Sequence, residues 1–387
     1  MVLLNRIKLI IANSSIIKLL YLPIFFFRLF KIKKNRILCS NFMGKGYGDS
    51  PKYISEELAK DNKYEIIWIC KNINDKFPNH VKPVKIYSLK YFYYIATSKF
   101  WIFNTRTPIY YIKRKKQIYI QTWHGCLAFK KIEFDVKDKL DKKYVKNAIK
   151  DTNYTNLMIS NSSFCNELYK RAFRYSGKIM CKGTPRNDLL VGNNYLNIRK
   201  KVCRTLNIPK NNKIILYAPT FRAHYDTNPY DINFEDVIKN LKAKYHDDYS
   251  IIIRMHPGIK NPDSLILNYY NYINANNYDD MQELILASDL LITDYSSTMF
   301  EAMIANKPVI IYANDIKDYN EDRGSYFKIN ELPFPASFNN DELLKIILNT
   351  NFDDICNKYN NFKDKIGLNE SGKSSVKIKE YIDERIL

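Results

Sequence analysis

Apolar residues in this chain fall in short runs separated by stretches of helical periodicity. Strand-like runs rich in aliphatic and aromatic residues near 36–41, 64–70, 84–87, 100–104, 117–122, 157–160 and 178–182 predict strands. A strand covered on both faces needs no polar side, so such runs fit a buried sheet. Residues 50–60 and 163–173 carry helical spacing, the first opened by Ser50-Pro51. A connecting helix is predicted at 193–206, and a second series follows it. Its strands are predicted at 213–218, 250–254, 289–293 and 308–312. Its helices are predicted at 235–244, 281–287, 296–305 and from 341 onward.

Strand–helix alternation with apolar strands specifies parallel sheets covered by helices. The fold class is therefore α/β, with two Rossmann-like doubly wound domains meeting near residue 195 and facing a central cleft. The expected organisation is a segment over 1–35, a first domain over 36–192 and a second over 193–387. Ligands of such folds sit beyond the carboxyl ends of the strands, so the polar residues just after each strand are the candidate chemistry.

Composition narrows the classes. The chain has 387 residues, 46% hydrophobic, with 11 Gly and 14 Pro, which excludes disordered and collagen-like chains. Seven scattered Cys with no CxxC predict reduced thiols in a cytosolic protein, and the five His do not sit beside paired Cys as zinc ligands would. Lys and Arg exceed Asp and Glu by 61 to 40, a net charge of +21. The excess is uneven: residues 1–48 hold nine basic residues and no acid. Two apolar runs lie in the same stretch, broken by Lys18 and Pro23. Neither reaches the roughly 18 residues of a spanning helix, and no small-residue cleavage site follows. Residues 1–35 are expected to lie on an anionic membrane surface; the alternative is a core helix with a solvated basic face. Without a helix-turn-helix, RNP-type or zinc-finger pattern, no nucleic-acid partner is expected.

Three strand ends carry the strongest candidate chemistry. Gln121-Thr122-Trp123-His124-Gly125 places a histidine before a glycine, where an imidazole can accept a proton from an alcohol. Ile251-Ile252-Ile253-Arg254-Met255-His256-Pro257 would carry Arg254 and His256 on one face, as strand alternation requires, forming a phosphate clamp. In Asp294-Tyr295-Ser296-Ser297-Thr298-Met299-Phe300-Glu301, hydroxyls meet a helix start, an anion-binding arrangement; Glu301, four residues beyond Ser297, could reach ribose hydroxyls. Arg186, Arg222 and Arg323 lie in three further loops near strand ends. Together these groups point to a phosphate or diphosphate ligand. Gly44, Gly46 and Gly48 only loosely resemble a dinucleotide fingerprint.

In this order the motifs resemble those of the CDP-glycerol glycerophosphotransferase family of teichoic acid primases and polymerases. The resemblance rests on 121–125, Gly183-Thr184-Pro185-Arg186-Asn187-Asp188, Tyr217-Ala218-Pro219-Thr220-Phe221-Arg222, Arg254-Met255-His256-Pro257, Asp294-Tyr295-Ser296-Ser297, Phe300-Glu301, Lys307-Pro308-Val309 and Asp318 to Arg323-Gly324. It implies a glycosyltransferase-B-like fold and transfer of a polyol phosphate, glycerol phosphate first, from a CDP-activated donor, with release of CMP. The acceptor implied is a lipid-linked saccharide or growing polymer at the cytoplasmic face of the membrane. The first domain would serve the acceptor and the second the donor.

The catalytic base matches His124 and a second functional histidine matches His256. Arg254 lies beside it, and Ser296 and Ser297 match the family's phosphate-binding pair. Arg186, Arg222, Asp294, Glu301 and Arg323 complete the expected donor and phosphate set. No tightly bound cofactor is expected, although Mg²⁺ can ride on the donor pyrophosphate. Where the family has Thr-Pro-Leu-Lys after Trp-His-Gly, this chain has Cys126-Leu127-Ala128-Phe129-Lys130, a difference that bears on the acceptor or the polyol. Two rivals stand beside this reading: a nucleotide-sugar glycosyltransferase of the same fold, and a non-catalytic membrane- or polyanion-binding protein.

Overall fold

Two parallel sheets form the molecule. The computed structural model describes residues 16–222, 230–256, 259, 263, 272–316 and 324–386. The first sheet holds β1 (Lys33–Ser40), β2 (Glu65–Cys70), β3 (Val81–Lys85), β4 (Ser98–Phe103), β5 (Ile118–Gln121), β6 (Leu157–Ser160) and β7 (Lys178–Cys181) in the order β3-β2-β1-β4-β5-β6-β7. The second holds β8 (Lys213–Tyr217), β9 (Tyr249–Ile253), β10 (Tyr272–Asn274), β11 (Leu290–Thr293), β12 (Val309–Tyr312) and β13 (Ala336–Ser337) in the order β10-β9-β8-β11-β12-β13. Every pairing is parallel. In both sheets the first strand is central and the order reverses between the first strand and the fourth. The loops after β1 and β4, and after β8 and β11, therefore open at the two switch points where such folds bind ligands.

The predicted strands form because both of their faces find apolar partners. Ile37, Cys39, Trp68, Phe100 and Ile102 pack on one face of the first sheet, against Ile54 and Leu58 of helix Asp49–Leu58. Leu38, Ile67, Ile69, Trp101 and Phe103 pack on the other, against Tyr91 and Ile95 of helix Leu89–Thr97. The second sheet fills with Ile214–Leu216, Ile251–Ile253 and Leu290–Ile292.

Two expectations about the ends change. Helix Ser374–Ile386 does not belong with 193–373. Its Ile378, Tyr381 and Ile382 are buried against Ile37, Trp68 and Ile54, so the first domain is completed by the last described helix. At the other end, residues 1–15 lie outside the described residues, and helix Ile16–Phe27 combines features of both alternatives. Ile24 is buried in the first domain, the Phe27 ring meets Tyr93 at 5.6 Å, and Arg28 Nη1 donates to the Ile112 carbonyl at 3.0 Å. Leu22, Phe25, Phe26, Leu29 and Phe30 are exposed. Among the described residues no helix is long and apolar enough to cross a membrane.

Candidate active site

His124 follows β5 on a loop whose shape its own motif enforces. Trp123 has φ 56°, a left-handed conformation costly for a bulky residue. Gln121 holds it there: its Oε1 accepts from Trp123 N at 2.9 Å, while its Nε2 donates to Tyr119 Oη at 2.6 Å and to the Thr105 carbonyl at 3.1 Å. The His124 ring lies between Trp123 and Phe42, with centroids at 4.1 and 5.3 Å. Its Nδ1 sits 2.8 Å from the Asn104 carbonyl. A carbonyl only accepts, so Nδ1 carries the hydrogen and Nε2 presents its lone pair. Burial pushes the imidazolium below its usual pKa; the Asn104 carbonyl and Asp49 oppose that shift and Arg186 adds to it.

The second domain supplies the opposite wall. A methyl group placed on Gly125 would come within 3.9 Å of Ser297 Oγ, so the His124 loop faces the start of helix Thr298–Ile304 directly. Ser296 and Ser297 are half-buried there. Ser296 Oγ is 2.9 Å from Thr298 Oγ1 and accepts from Thr298 N at 3.3 Å. His256 is exposed beyond β9, 6.3 Å from the Phe221 ring between centroids. The protein packed around it still lowers its pKa; Asp294 opposes the shift, while Lys130 and Lys45 add to it.

The structure corrects several other expectations. Arg254 does not form a clamp with His256. β9 ends at Ile253, and Arg254 Nη1 donates to the carbonyls of Ala275, at 3.0 Å, and Tyr278, closing the turn after β10. Arg222 donates from Nε to Asp315 at 2.6 Å and reaches Asp294 at 2.9 Å through Nη2. Asp294 also accepts from Thr220 N at 2.9 Å and Tyr295 N at 2.6 Å, tying the loop after β8 to the loop after β11. Arg186 and Glu301 bind one another across the cleft instead of facing it as free groups. Arg323 lies outside the described residues, as does Pro257. Among the described residues no group of three or more His, Cys, Asp or Glu side chains is gathered that could hold a metal ion.

The glycine turn and Arg106 also shape the site. Phe42 and Met43 on the glycine turn have φ 38° and 57°. The turn is pinned by Phe42 N to Asn104 Oδ1 at 2.8 Å and by Asn41 Nδ2 to the Lys45 carbonyl at 2.7 Å. Gly44 lies against the backbone of Cys70 and Lys71, with φ 90°, so no side chain fits there. Behind Trp123, the Arg106 guanidinium lies 5.8 Å from its ring and 4.8 Å from that of Phe173. The positive φ values cluster beside the candidate base, a local signal that a sequence does not display.

The family described as CDP-Glycerol:Poly(glycerophosphate) glycerophosphotransferase matches residues 22–384. A teichoic acid poly(glycerol phosphate) polymerase of Staphylococcus epidermidis is 34% identical over 373 residues, covering 92% of this chain and 51% of the relative. A polymerase of the same description from Bacillus spizizenii is 31% identical over 362 residues, covering 89% and 91%. The chain thus spans about half the length of the first and nine-tenths of the second. A solved histidine-to-alanine variant of the wall teichoic acid polymerase TagF superposes with a TM-score of 0.83 at 32% identity, covering all of this chain and 98% of that one. Another TagF structure, a histidine variant, was soaked with CDPG. With its two-sheet fold, its His124 loop facing Ser297, and a family match across nearly its whole length, the chain belongs to the CDP-glycerol:poly(glycerophosphate) glycerophosphotransferase family.

Proposed function

We propose that this chain transfers glycerol phosphate from CDP-glycerol to a hydroxyl of a lipid-linked saccharide or growing polyol-phosphate polymer, releasing CMP, in teichoic acid or capsular polymer synthesis. The observation that carries the reading is His124: Nδ1 is committed to the Asn104 carbonyl, Nε2 is the acceptor, and the loop faces Ser297. The acceptor O–H gives its proton to Nε2. Its oxygen forms a bond to the glycerol-bearing phosphorus as the bond from that phosphorus to the bridging oxygen breaks. CMP departs with that oxygen. Ser296, Ser297 and His256 would hold the diphosphate, so that positioning and charge neutralisation supply most of the acceleration. Magnesium, if the donor brings it, would add charge to the diphosphate; no step here is assigned to it. The test incubates purified protein with CDP-glycerol and a lipid-linked acceptor. CMP release with an acceptor longer by one or more glycerol phosphates supports the reading. Release of UDP or GDP from a nucleotide sugar, with none from CDP-glycerol, would overturn it.

His256 is assigned to ground-state binding as well as to the transition state. His256→Ala is therefore expected to weaken CDP-glycerol binding by about tenfold, the value of one hydrogen bond to a charged group. Calorimetry showing unchanged affinity would remove His256 from the donor site.

The exposed apolar side chains of helix Ile16–Phe27 and of the turn after it support peripheral attachment at the cytoplasmic membrane surface. Leu22, Phe25, Phe26, Leu29 and Phe30 lie outside the core, beside Arg28, Lys31, Lys33 and Lys34. Each near-surface cation contributes about 1 kcal/mol on an anionic leaflet, and each buried large apolar side chain roughly 1.5–3 kcal/mol. Exchanging Phe25, Phe26 and Leu29 for serine is expected to leave a folded protein that no longer sediments with anionic vesicles. Salt alone should release the wild type only partly, since screening acts on the charges and not on apolar burial. A folded triple variant that still pellets would reject this face.

A further inference from the structure

We propose that Arg186 is a positioning residue that clasps the two domains and sets the His124 loop against the donor wall. This rests on the transfer reading above. Arg186 is 8% exposed and lies between the two sheets. Its Nη1 donates to Asp49 Oδ2 at 2.8 Å and to the main-chain carbonyl of His124 at 3.1 Å. Its Nη2 donates to Glu301 Oε1 in the second domain. One guanidinium therefore holds the start of helix Asp49–Leu58, the backbone of the candidate base and helix Thr298–Ile304. Among the described residues the Nε has no hydrogen-bond partner, so this hold depends on the two terminal nitrogens, a fork that a lysine does not reproduce.

A second contact one turn along the same helix fixes the same junction. Lys52 Nζ and Tyr53 Oη reach Asp280 Oδ2 at 2.6 and 2.8 Å, and Asp280 accepts from Gln282 N at 3.0 Å. Gln282 Nε2 in turn donates to Glu301 at 3.1 Å, joining the two contacts into one network. The charge balance separates this role from donor binding. Arg186 already faces two buried carboxylates, so an added diphosphate would meet a site of net negative charge. Drawing the guanidinium away would leave Asp49 and Glu301 unpaired, which is costly for buried carboxylates. Positioning has catalytic value because a displacement of about 1 Å in such a site can cost 10²-fold in rate.

The test compares Arg186→Lys with the double variant Arg186→Gln/Glu301→Gln, which removes the interdomain charges as a pair. The wild type is assayed first for CMP release from CDP-glycerol. Failure there would count against the transfer reading and not against the clasp. Both variants are expected to bind CDP-glycerol within about threefold of wild type by calorimetry and to lose on the order of 10²-fold in kcat.

The charged groups acting on His124 are Asp49 and Glu133, which raise its pKa, and Arg186, which lowers it; the Asn104 carbonyl also raises it. Loss of the Arg186 charge should therefore move the acid limb of kcat/KM to higher pH in the double variant. In Arg186→Lys, which keeps the charge, the limb should stay put. That shift reports the lost charge; positioning is read in Arg186→Lys, where kcat falls while the limb and the donor affinity stay put. If the double variant does not fold, by circular dichroism, Arg186→Lys decides through its kcat and donor affinity. Donor affinity lowered tenfold or more, or wild-type kcat in the folded variants, would overturn the proposal.

Discussion

Replacing His124 with alanine is expected to lower transfer by about 10²–10⁴-fold, the usual contribution of a positioned general base, while CDP-glycerol binding stays close to wild type. The separation follows from geometry: the ring contacts Trp123 and Phe42 and hydrogen-bonds the Asn104 carbonyl, all within the first domain. Its proton-accepting nitrogen is assigned to the acceptor hydroxyl. Single-turnover CMP release measures the first quantity and calorimetry with CDP-glycerol the second. Retention of more than about a third of wild-type turnover would make His124 a packing residue. Burial sets the sign of the wild-type pH profile. A histidine whose pKa is held below 6.5 is neutral, and so basic, at pH 7. The acid limb of kcat/KM should lie below pH 6.5.

Arg106→Met is expected to be the most damaging single substitution for stability, at about 3–5 kcal/mol. Arg106 bridges Glu133 Oε2 at 2.9 Å and Asp151 Oδ2 at 3.0 Å, and the three side chains are 7%, 3% and 0% exposed. Methionine fills much of the volume but leaves two carboxylates without their cation. Asp151 has other partners, Thr107 N at 2.7 Å and Thr107 Oγ1 at 2.6 Å, so part of its charge stays satisfied. Glu133 keeps only the Tyr144 hydroxyl among its described bonds. Denaturant unfolding would measure the loss, and a value under about 1 kcal/mol would contradict the assignment. Because the guanidinium also supports the Trp123 ring, activity measured well below the transition should fall as well.

The strands were legible because burial on both faces leaves a short apolar run. Leu157–Ser160 and Met281–Ala287 occupy the very residues predicted for them. Helix Leu89–Thr97 was not legible: its LKYFYYIAT composition favours strands, and packing against β1 and the first helix makes it helical. The site divides the same way. Gln121, Trp123, His124 and Gly125 act within five consecutive residues, so their motif carries their geometry. Arg186 and Glu301 lie 115 positions apart. The chain marks each as a charged group beyond a strand, but only tertiary structure reveals that each holds the other. Arg106, Glu133 and Asp151 stayed invisible for the same reason, as they come from three separate segments.

The docking of helix Ser374–Ile386 onto the first sheet has a consequence for synthesis. Lys379 reaches Asp61 at 2.7 Å, and Lys63 reaches Asp383 at 2.7 Å, beside the apolar seat of Ile378 and Ile382. A ribosome adding roughly 5–20 residues per second needs about 10–35 s to travel from the end of the first domain's strands and loops, near residue 192, to this helix. Over that interval, while the second domain is being made, Ile37, Ile54 and Trp68 lack one wall of their cover. Exposed apolar surface on a nascent chain is what holdase chaperones bind and what neighbouring chains aggregate through. Yield in overexpression should therefore respond to chaperone supply more strongly than the stability of the finished protein would suggest.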